Sequence, residues 1–233
     1  MVYNDPERYQ EGAVLFIDKP LHWTSFDVVN KIRKTLRQVF GIKKIKVGHA
    51  GTLDPLATGL VIVCTGRATK QMLEYQDLDK AYTAGIRLGA TTPSLDLETE
   101  VDQEFPWEHI REEDIQNAFS TFLGETDQLP PQYSAKSVDG KRAYDMARKG
   151  REIELKPHRV RIDSLELLSF HPPALDVHVE CGKGTYIRSL ARDLGAALGS
   201  GAHLTSLRRT RIGPHRVENA MPLEDFLEKL KLL

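Results

Sequence analysis

The chain has 233 residues, a formal net charge of −1 and an ordinary share of charged residues for a folded globular protein. Its apolar runs are too short for a membrane helix and its polar N-terminus lacks the apolar centre of a secretory signal, so a cytoplasmic protein is predicted. The two cysteines, Cys64 and Cys181, lie in apolar runs without metal-ligand spacing and are expected to be buried thiols.

Charge is distributed unevenly along the chain. Residues 96–114 hold nine acids and one base, a net −8, so the remaining residues carry about +7. The basic residues form three clusters: Lys43, Lys44 and Lys46; Lys141, Arg142, Arg148, Lys149 and Arg151; Arg208, Arg209, Arg211 and Arg216. One such cluster is typical of a solvated surface, but three beside glycine-rich turns favour an RNA partner. We expect the second and third clusters to contact phosphates.

The first half of the chain predicts alternating short strands and helices. A strand over 13–17 runs towards Pro20, and Thr24 or Ser25 begins an amphipathic helix that ends at Gly41. The elements predicted next are a basic strand over 43–47, an apolar strand over 60–64, a short helix over 71–75 and a half-buried strand over 81–88.

The second half has the same mixed character. The elements predicted are a helix over 111–122, an ordered loop over 129–136, a turn at Asp139-Gly140, a basic helix over 141–149, paired strands over 159–168 and 175–181, an amphipathic helix over 186–198, a basic strand over 204–209 and a closing helix from Leu223. The sequence therefore predicts an α+β fold. We expect one domain over 13–233, preceded by an extension over 1–12 without fixed structure.

A glycine-rich loop over 46–59 contains a single carboxylate, Asp54. Glycines permit close backbone approach and can hold one side chain in an unusual pose beside a strand. Asp-Pro is also a common helix start, so the spacing alone favours Asp54 as a cap or turn residue. Both interpretations stay open at this point.

Arg188 lies in the first turn of the helix predicted over 186–198. A cation is unfavourable at a helix N-terminus, so this position predicts a partner carboxylate.

The sequence lacks the common nucleotide-binding, serine-hydrolase and zinc motifs, and its eight histidines are scattered. No metal site is predicted.

Residues 48–59, Gly-His-Ala-Gly-Thr-Leu-Asp-Pro-Leu-Ala-Thr-Gly, resemble the signature loop of the TruB-type tRNA pseudouridine synthases. Four further blocks follow that family's order: Asp18-Lys19-Pro20 with Trp23-Thr24-Ser25, Lys80-Ala81-Tyr82, Pro131-Gln132-Tyr133-Ser134-Ala135, and Lys183-Gly184-Thr185-Tyr186-Ile187-Arg188. The resemblance covers roughly 13–228. It implies the pseudouridine synthase fold, a mixed and mostly antiparallel central sheet flanked by helices, with an RNA-binding cleft.

The resemblance also implies an activity: conversion of the uridine at position 55, in the tRNA T loop, to pseudouridine. The base is flipped out, its glycosidic bond is cleaved, and the base rotates and is rejoined through carbon. No cofactor or metal is implied, because the product is an isomer. The expected partner is the tRNA T arm, with no membrane and with the protein acting as a monomer.

Roles for individual residues follow from the same resemblance. Asp54 is the catalytic carboxylate, either as nucleophile or as the group that starts deprotonation, and Arg188 pairs with it. Tyr82 lies against the target base and takes part in catalysis. The substrate-binding residues are His49, Tyr82, Tyr186 and Leu207. Lys19 and Pro20 support the loop structurally.

Three positions depart from the family pattern. Ala50 stands where threonine is common, and Thr92-Pro93-Ser94-Leu95-Asp96 replaces a usual Thr-Asp-Thr-x-Asp. The sequence also ends at Leu233, where many relatives carry a further RNA-binding (PUA) domain, so a smaller RNA-binding surface is expected.

Two other functions compete with this one. A tRNA folding or binding factor could keep the scaffold with dispensable chemistry, although the intact Asp54, Tyr82 and Arg188 argue against that. A hydrolase of nucleosides or glycosides is disfavoured, because no second acid is evident.

Overall fold

The computed structural model describes residues 4–134, 137–138, 141–147 and 153–232. These residues group into two compact units, residues 1–82 with 208–233, and residues 83–207, and the boundaries fall inside two strands. The expectation of one domain over 13–233 stays a prediction.

The first unit is built on strands and on helices at both ends of the chain. Its helices are α1 (Pro6–Glu11), α2 (Ser25–Phe40), α3 (Met72–Asp77) and α7 (Leu223–Lys231), and 3-10 turns cover Gly66–Gln71 and Val217–Asn219. Its strands are β1 (Val14–Lys19), β2 (Val47–Ala50), β3 (Ala57–Thr65), β13 (His215–Arg216) and β14 (Met221–Pro222), with the start of β4 (Lys80–Leu88) and the end of β12 (Ala202–Ile212).

Strand β3 is the centre of the first unit. It pairs antiparallel with β1, Ile17 opposite Val61, and antiparallel with β2, His49 opposite Val63. β1 in turn pairs parallel with β14. Residues 60–65 are fully buried, which explains why this strand reads as a continuous apolar run rather than an alternating one.

Helix α2 begins and ends as its sequence predicts. Thr24 and Asp27 form a capping box, and Gly41 closes the helix in the left-handed region at φ 64°. Its buried face includes Val28, Ile32 and Leu36, the three- and four-residue spacing of an amphipathic helix.

The second unit combines an antiparallel sheet with packed helices. Its helices are α4 (Glu112–Phe122), α5 (Ala143–Ala147) and α6 (Ile187–Ala197). Its strands are β5 (Ala90–Thr91), β6 (Gln103–Glu104), β7 (Gly124–Gln128), β8 (Ser137–Val138), β9 (Lys141–Arg142), β10 (His158–His171) and β11 (Ala174–Cys181), with the rest of β4 and β12. β10 pairs antiparallel with both β11 and β7. The α+β class and the mixed, mostly antiparallel strand pairing are confirmed.

Two local predictions were wrong. The N-terminal extension is not without structure, because Pro6–Glu11 forms α1, capped by Asp5, and buries Tyr9. The strand predicted over 43–47 begins only at Val47, where pairing with Thr65 starts.

The half-buried strand predicted over 81–88 is confirmed. One face is buried throughout, whereas on the other face Thr83 is half-buried and Arg87 is exposed.

The basic helix predicted over 141–149 begins later than expected. Lys141–Arg142 pairs as a strand with Ser137–Val138, and the described helical residues are Ala143–Ala147. The predicted turn at Asp139-Gly140 and the positions 148–151 lie outside the described residues.

Candidate active site

Asp54 lies in the short loop between β2 and β3. No helix follows it: β3 begins at Ala57, whose backbone N–H donates to the Asp54 carbonyl oxygen at 3.1 Å. Asp54 therefore lies in a turn and does not cap a helix. The turn leaves the Asp54 side chain partly exposed beside a buried strand.

The loop is attached to the start of α2 through Ser25. The Leu53 N–H donates to Ser25 Oγ at 2.8 Å, and that hydroxyl donates to the Leu53 carbonyl oxygen at 3.3 Å. Ser25 and the Leu53 side chain are both buried. The residue directly before Asp54 is thus fixed to a capped helix.

Lys19, at the end of β1, is fully buried beneath the same loop. Its Nζ donates to the carbonyl oxygens of Pro20 at 3.0 Å, Trp23 at 2.5 Å and Pro55 at 3.5 Å. Burial lowers the pKa of Lys19 to about 8, while attraction to Asp54 opposes that shift. Lys19 therefore places a positive charge near Asp54 and binds the residue that follows it. Pro20 ends β1 and supplies one of the three acceptors.

Arg209 binds the other side of the loop. Its Nε donates to the Leu60 carbonyl oxygen at 2.7 Å. One terminal nitrogen donates to the Thr52 carbonyl oxygen at 3.4 Å, and the other donates to the Gly51 carbonyl oxygen at 3.2 Å. Only 1% of the residue is exposed. The prediction that Arg209 contacts phosphate is wrong, because its guanidinium is buried and occupied by backbone acceptors.

Gly59 allows Arg209 to approach this closely. Its φ is 105°, and a Cβ at this position would lie 2.3 Å from the Arg209 carbonyl oxygen. Any side chain would force β3 and β12 apart at the point where the guanidinium enters the loop. The glycine of the signature loop is needed for this backbone contact.

Arg208, next in the chain, has different partners. Its guanidinium binds both oxygens of Asp18, at 3.1 and 2.7 Å, and its side chain is 42% exposed. This bidentate pair neutralises one member of the third basic cluster.

His49 lies in β2, at the entrance to the loop. Burial lowers the pKa of His49, and the charge of Arg209 lowers it further, while a hydrogen bond to the Gly51 backbone opposes the shift. The imidazole is therefore mainly neutral at pH 7.

Tyr82 lies in β4 and is the last residue of the first segment of the first unit. It is 8% exposed.

Arg188 occupies the first turn of α6 in the second unit, as predicted, and is buried. Its guanidinium lies 3.6 Å from the Asp96 carboxylate and donates to the carbonyl oxygens of Ser94 at 3.0 Å and Tyr133 at 2.8 Å. These partners explain how a cation is accommodated at a helix N-terminus.

The segment around Asp96 is folded tightly on itself. The hydroxyls of Thr92 and Ser94 donate to the Asp96 carbonyl oxygen at 2.7 and 3.2 Å, and Leu95 takes a positive φ of 64°. The departure from the usual family pattern in this segment therefore still yields an ordered turn. That turn presents one carbonyl and one carboxylate to Arg188.

Tyr186 precedes α6 and is held by a buried glutamine. Gln128 accepts from the Tyr186 N–H at 2.8 Å and donates to its carbonyl oxygen at 3.1 Å. The ring of His158 meets the Tyr186 ring edge-on, with centroids 5.9 Å apart. Leu207, the last predicted binding residue, lies half-buried in β12. The side chains of the second basic cluster lie outside the described part of the structure.

Two family models together match residues 37–232 of the chain. The family model for TruB family pseudouridylate synthase, N-terminal domain, matches residues 37–187, and the model for the tRNA pseudouridylate synthase B C-terminal domain matches residues 188–232. The chain belongs to the TruB family of pseudouridylate synthases. It is an isomerase that converts uridine to pseudouridine.

Relatives of known name agree with the family assignment. The chain is 57% identical to the tRNA pseudouridine synthase B of Phocaeicola vulgatus over 222 residues, 95% of this chain and 94% of that protein. Among solved structures it resembles a Cbf5-Nop10-Gar1 complex, at 29% identity and a TM-score of 0.71, over 97% of this chain and 56% of that one. It also resembles an H/ACA RNP bound to a substrate RNA containing 2'-deoxyuridine, at 27% identity and a TM-score of 0.67, over 96% and 56%. The chain thus spans just over half the length of the chain that it matches in each of those two structures.

The TruB-family sequence motifs did not reveal two charged residues with a structural role, Arg209 in the first unit and Asp96 in the second. Arg209 was assigned to a basic surface, and Asp96 was only one of nine acids in an acidic stretch. No local signal marks either residue, because Arg209 binds the Leu60 carbonyl oxygen and Asp96 lies beside Arg188, and both partners are distant in the sequence. Within the described residues, no group of three or more His, Cys, Asp or Glu side chains is arranged to hold a metal ion. The helices of the described part are too short or too polar to cross a membrane.

Proposed function

We propose that this TruB-family enzyme isomerises the uridine at position 55, in the T loop of tRNA, and that Asp54 is its essential carboxylate. Support for tRNA as the substrate comes from the name of its 57% identical relative, tRNA pseudouridine synthase B. Support for Asp54 comes from the geometry of its loop.

The observation that carries the proposal is the fixation of Asp54 by two buried cations. Arg209 binds the carbonyl oxygens of Gly51 and Thr52, before Asp54, and Lys19 binds that of Pro55, after it. A charge near the carboxylate favours its ionised form, and fixed neighbours limit its movement. An oriented, ionised carboxylate is what either proposed role requires.

The reaction needs no other reagent. The bond from the ribose C1′ to the uracil N1 breaks, the base rotates, and a new bond joins C1′ to C5. The proton lost from C5 is balanced by the proton gained at N1, so the atoms and electrons of the product equal those of the substrate. Asp54 acts either as nucleophile or as the group that starts deprotonation, and one carboxylate suffices for both.

The remaining residues would act on the flipped nucleotide. In the proposal Tyr82 lies against the target base, Tyr186 packs on the flipped nucleotide, and Leu207 contacts the base through its backbone. The mainly neutral, partly buried imidazole of His49 suits a group that fills the space left by the base, since it enters a stacked helix without introducing a charge. The pairing of Arg188 with Asp54 remains part of the proposal.

The proposal includes a monomer that binds the T arm in the cytoplasm. Cys64 and Cys181 are both buried thiols, and burial raises the pKa of Cys64 to about 11, so this thiol is unreactive at neutral pH. Buried thiols are common in proteins of reducing compartments.

The deciding experiment incubates the purified protein with an unmodified tRNA transcript and maps pseudouridine chemically. Asp54→Asn keeps the shape of the side chain and removes its charge, so we expect RNA binding within about twofold of the original protein and product formation reduced by about 10³-fold or more. Normal product formation by Asp54→Asn would refute the essential carboxylate.

A second substrate tests the T-arm assignment. Every contact proposed for the chemistry surrounds the flipped uridine, so an isolated T-arm hairpin is expected to be modified at the equivalent position. Modification of the whole tRNA but not of the hairpin would refute that part of the proposal. Modification at a different uridine would refute position 55.

A further inference from the structure

A basic surface lies along α2 and the segment that follows it. We call it the α2 basic surface. Its members are Arg33, Lys34, Arg37, Lys43, Lys44 and Lys46. Between residues 28 and 49 the sequence contains these six cations and Lys31, and no acid.

Five of the six cations of this surface are exposed, and Arg33 is half-buried. In the segment after Gly41, the buried residues Ile42 and Ile45 alternate with exposed lysines, so the apolar side chains anchor the backbone while the ammonium groups face solvent. On α2 the buried face is apolar, and Lys34 and Arg37 lie on the opposite side.

None of the six cations forms an ion pair within the described part of the chain. Asp27, the only acid of α2, is occupied in the capping box with Thr24 at the far end of the helix. A helix C-terminus favours nearby cations, which accounts for Arg37. It does not account for the three lysines that lie beyond the helix.

The surface includes an open groove of about 610 Å³. Its lining residues are Asn30, Arg33, Lys34, Arg37, Gln38, Gly41 and Ile42. Cations together with side-chain amides are the donors that proteins use on phosphate and sugar oxygens of nucleic acids. Arg33 is fixed in this groove, since it donates to Asn30 Oδ1 at 3.0 Å and to the Val47 carbonyl oxygen at 2.9 Å.

The surface is joined directly to the catalytic loop. Val47, which accepts from Arg33, is the first residue of β2, and β2 carries His49 and continues to Asp54. Eight residues separate Lys46 from Asp54, so even a fully extended chain would place them less than about 29 Å apart. That is shorter than one turn of a nucleic-acid duplex, about 34 Å.

We propose that the α2 basic surface binds the phosphate backbone of the substrate RNA outside the nucleotide that undergoes isomerisation. The inference rests on the proposed function. It adds an interaction surface that none of the catalytic contacts requires. Its unpaired cations supply the sequence-independent, salt-dependent part of the affinity.

The test compares two triple variants with the same change in net charge. Lys34→Gln, Lys43→Gln and Lys44→Gln neutralise the surface. Lys70→Gln, Lys156→Gln and Lys231→Gln, all exposed lysines elsewhere, form the matched control. Binding of a tRNA transcript is measured at several salt concentrations in an Asp54→Asn background, so that no turnover occurs during the titration.

The surface triple is expected to weaken binding by about tenfold or more at moderate salt and to reduce the slope of log affinity against log salt by about 2 to 3. The control triple is expected to change affinity by less than about twofold. With Asp54 restored, the loss caused by the surface triple should appear in KM rather than kcat, because these lysines do not touch the reacting atoms.

Equal weakening by both triples would overturn the inference, since only overall charge would then matter. If the surface triple bound the tRNA transcript as tightly as the original protein does, the inference would also be overturned. The α2 basic surface would then serve a different anionic partner. Failure of the proposed function is distinguishable: in that case the original protein forms no pseudouridine at position 55, whatever the binding result.

Discussion

Asp54 and Arg188 are both charged residues at glycine-containing corners, but they are held in different ways. The backbone around Asp54 is bound by two cations, Lys19 and Arg209, that come from distant parts of the chain. Arg188 is itself the cation, and it is held by the carboxylate of Asp96 and two backbone carbonyls. In the first corner the backbone is fixed, and in the second the side chain is fixed.

This difference predicts which substitutions should impair activity or stability at each corner. A fixed backbone limits the movement of Asp54, but it makes the loop depend on buried donors. A fixed guanidinium depends on full compensation of its buried charge, so the acid beside it should matter for stability.

The largest effect is expected from Arg209. In Arg209→Met the Gly51, Thr52 and Leu60 carbonyl oxygens lose their charged donor, so the loop around Asp54 should shift. We expect kcat to fall about 100-fold, because small misplacements of a reacting group are costly. The free energy of unfolding should fall by about 2–4 kcal/mol. Pseudouridine formation and urea unfolding measure the two quantities.

Arg209→Lys provides the specific control. It keeps the charge but lacks the planar fork that reaches three acceptors, so kcat should stay at least about tenfold low. Full activity in Arg209→Lys would show that charge alone is needed and would contradict the role assigned to the hydrogen bonds.

The second corner is tested through Asp96. Asp96→Asn keeps the shape but leaves the buried charge of Arg188 without a carboxylate in the second unit, so the free energy of unfolding should fall by about 1–3 kcal/mol. Glu100→Gln, at an exposed acid of the same stretch, should change it by less than about 0.5 kcal/mol. Equal effects of the two substitutions on the urea midpoint would contradict the assignment of Asp96 as a charge partner.

Lys19 allows a test through pH. Its pKa in the folded protein, about 8, lies below its ordinary value of 10.5. Between these values the folded state binds fewer protons than the unfolded state, so this group makes stability rise with pH. Relative to Lys19→Met, which cannot titrate, the original protein should gain about 1–2 kcal/mol of unfolding free energy between pH 8 and 9.5. A constant or falling difference in urea unfolding experiments would contradict the lowered pKa.

The smallest effect is expected from Arg208, the neighbour of Arg209. Its pair with Asp18 is partly exposed, so Arg208→Gln should lower the free energy of unfolding by only about 0.5–1 kcal/mol, and less at high salt. If Arg208→Gln lowered the free energy of unfolding as much as Arg209→Met does, the argument that the exposed arginine contributes less to stability would be wrong.

Most of the secondary structure could be predicted from the sequence because its signals are local. The helix α2 follows from a capping box, a three- and four-residue apolar spacing and Gly41, all within eighteen positions. β10 and β11 follow from alternating segments separated by a short turn. The wrong prediction at 43–47 concerns strand pairing, which depends on distant neighbours.

The candidate site was predicted in part. The signature loop indicated Asp54, and the position of Arg188 at a helix N-terminus predicted that it needs an acid. The family resemblance assigned Asp54 as that acid, whereas the folded chain places the Asp96 carboxylate 3.6 Å from the Arg188 guanidinium. The composition of 208–216 suggested a phosphate surface, whereas the fold buries Arg209.

The sequence by itself determined the family, the order of the elements and the carboxylate on which the proposed chemistry depends. These are carried by short motifs, in which the residues that act together are neighbours in the chain. The tertiary structure decided how that carboxylate is held. Arg209 donates to the carbonyl oxygen of Leu60, 149 positions away, and Lys19 reaches that of Pro55, 36 positions away. The acceptors are backbone carbonyls, which every residue carries, so the amino-acid sequence does not mark them.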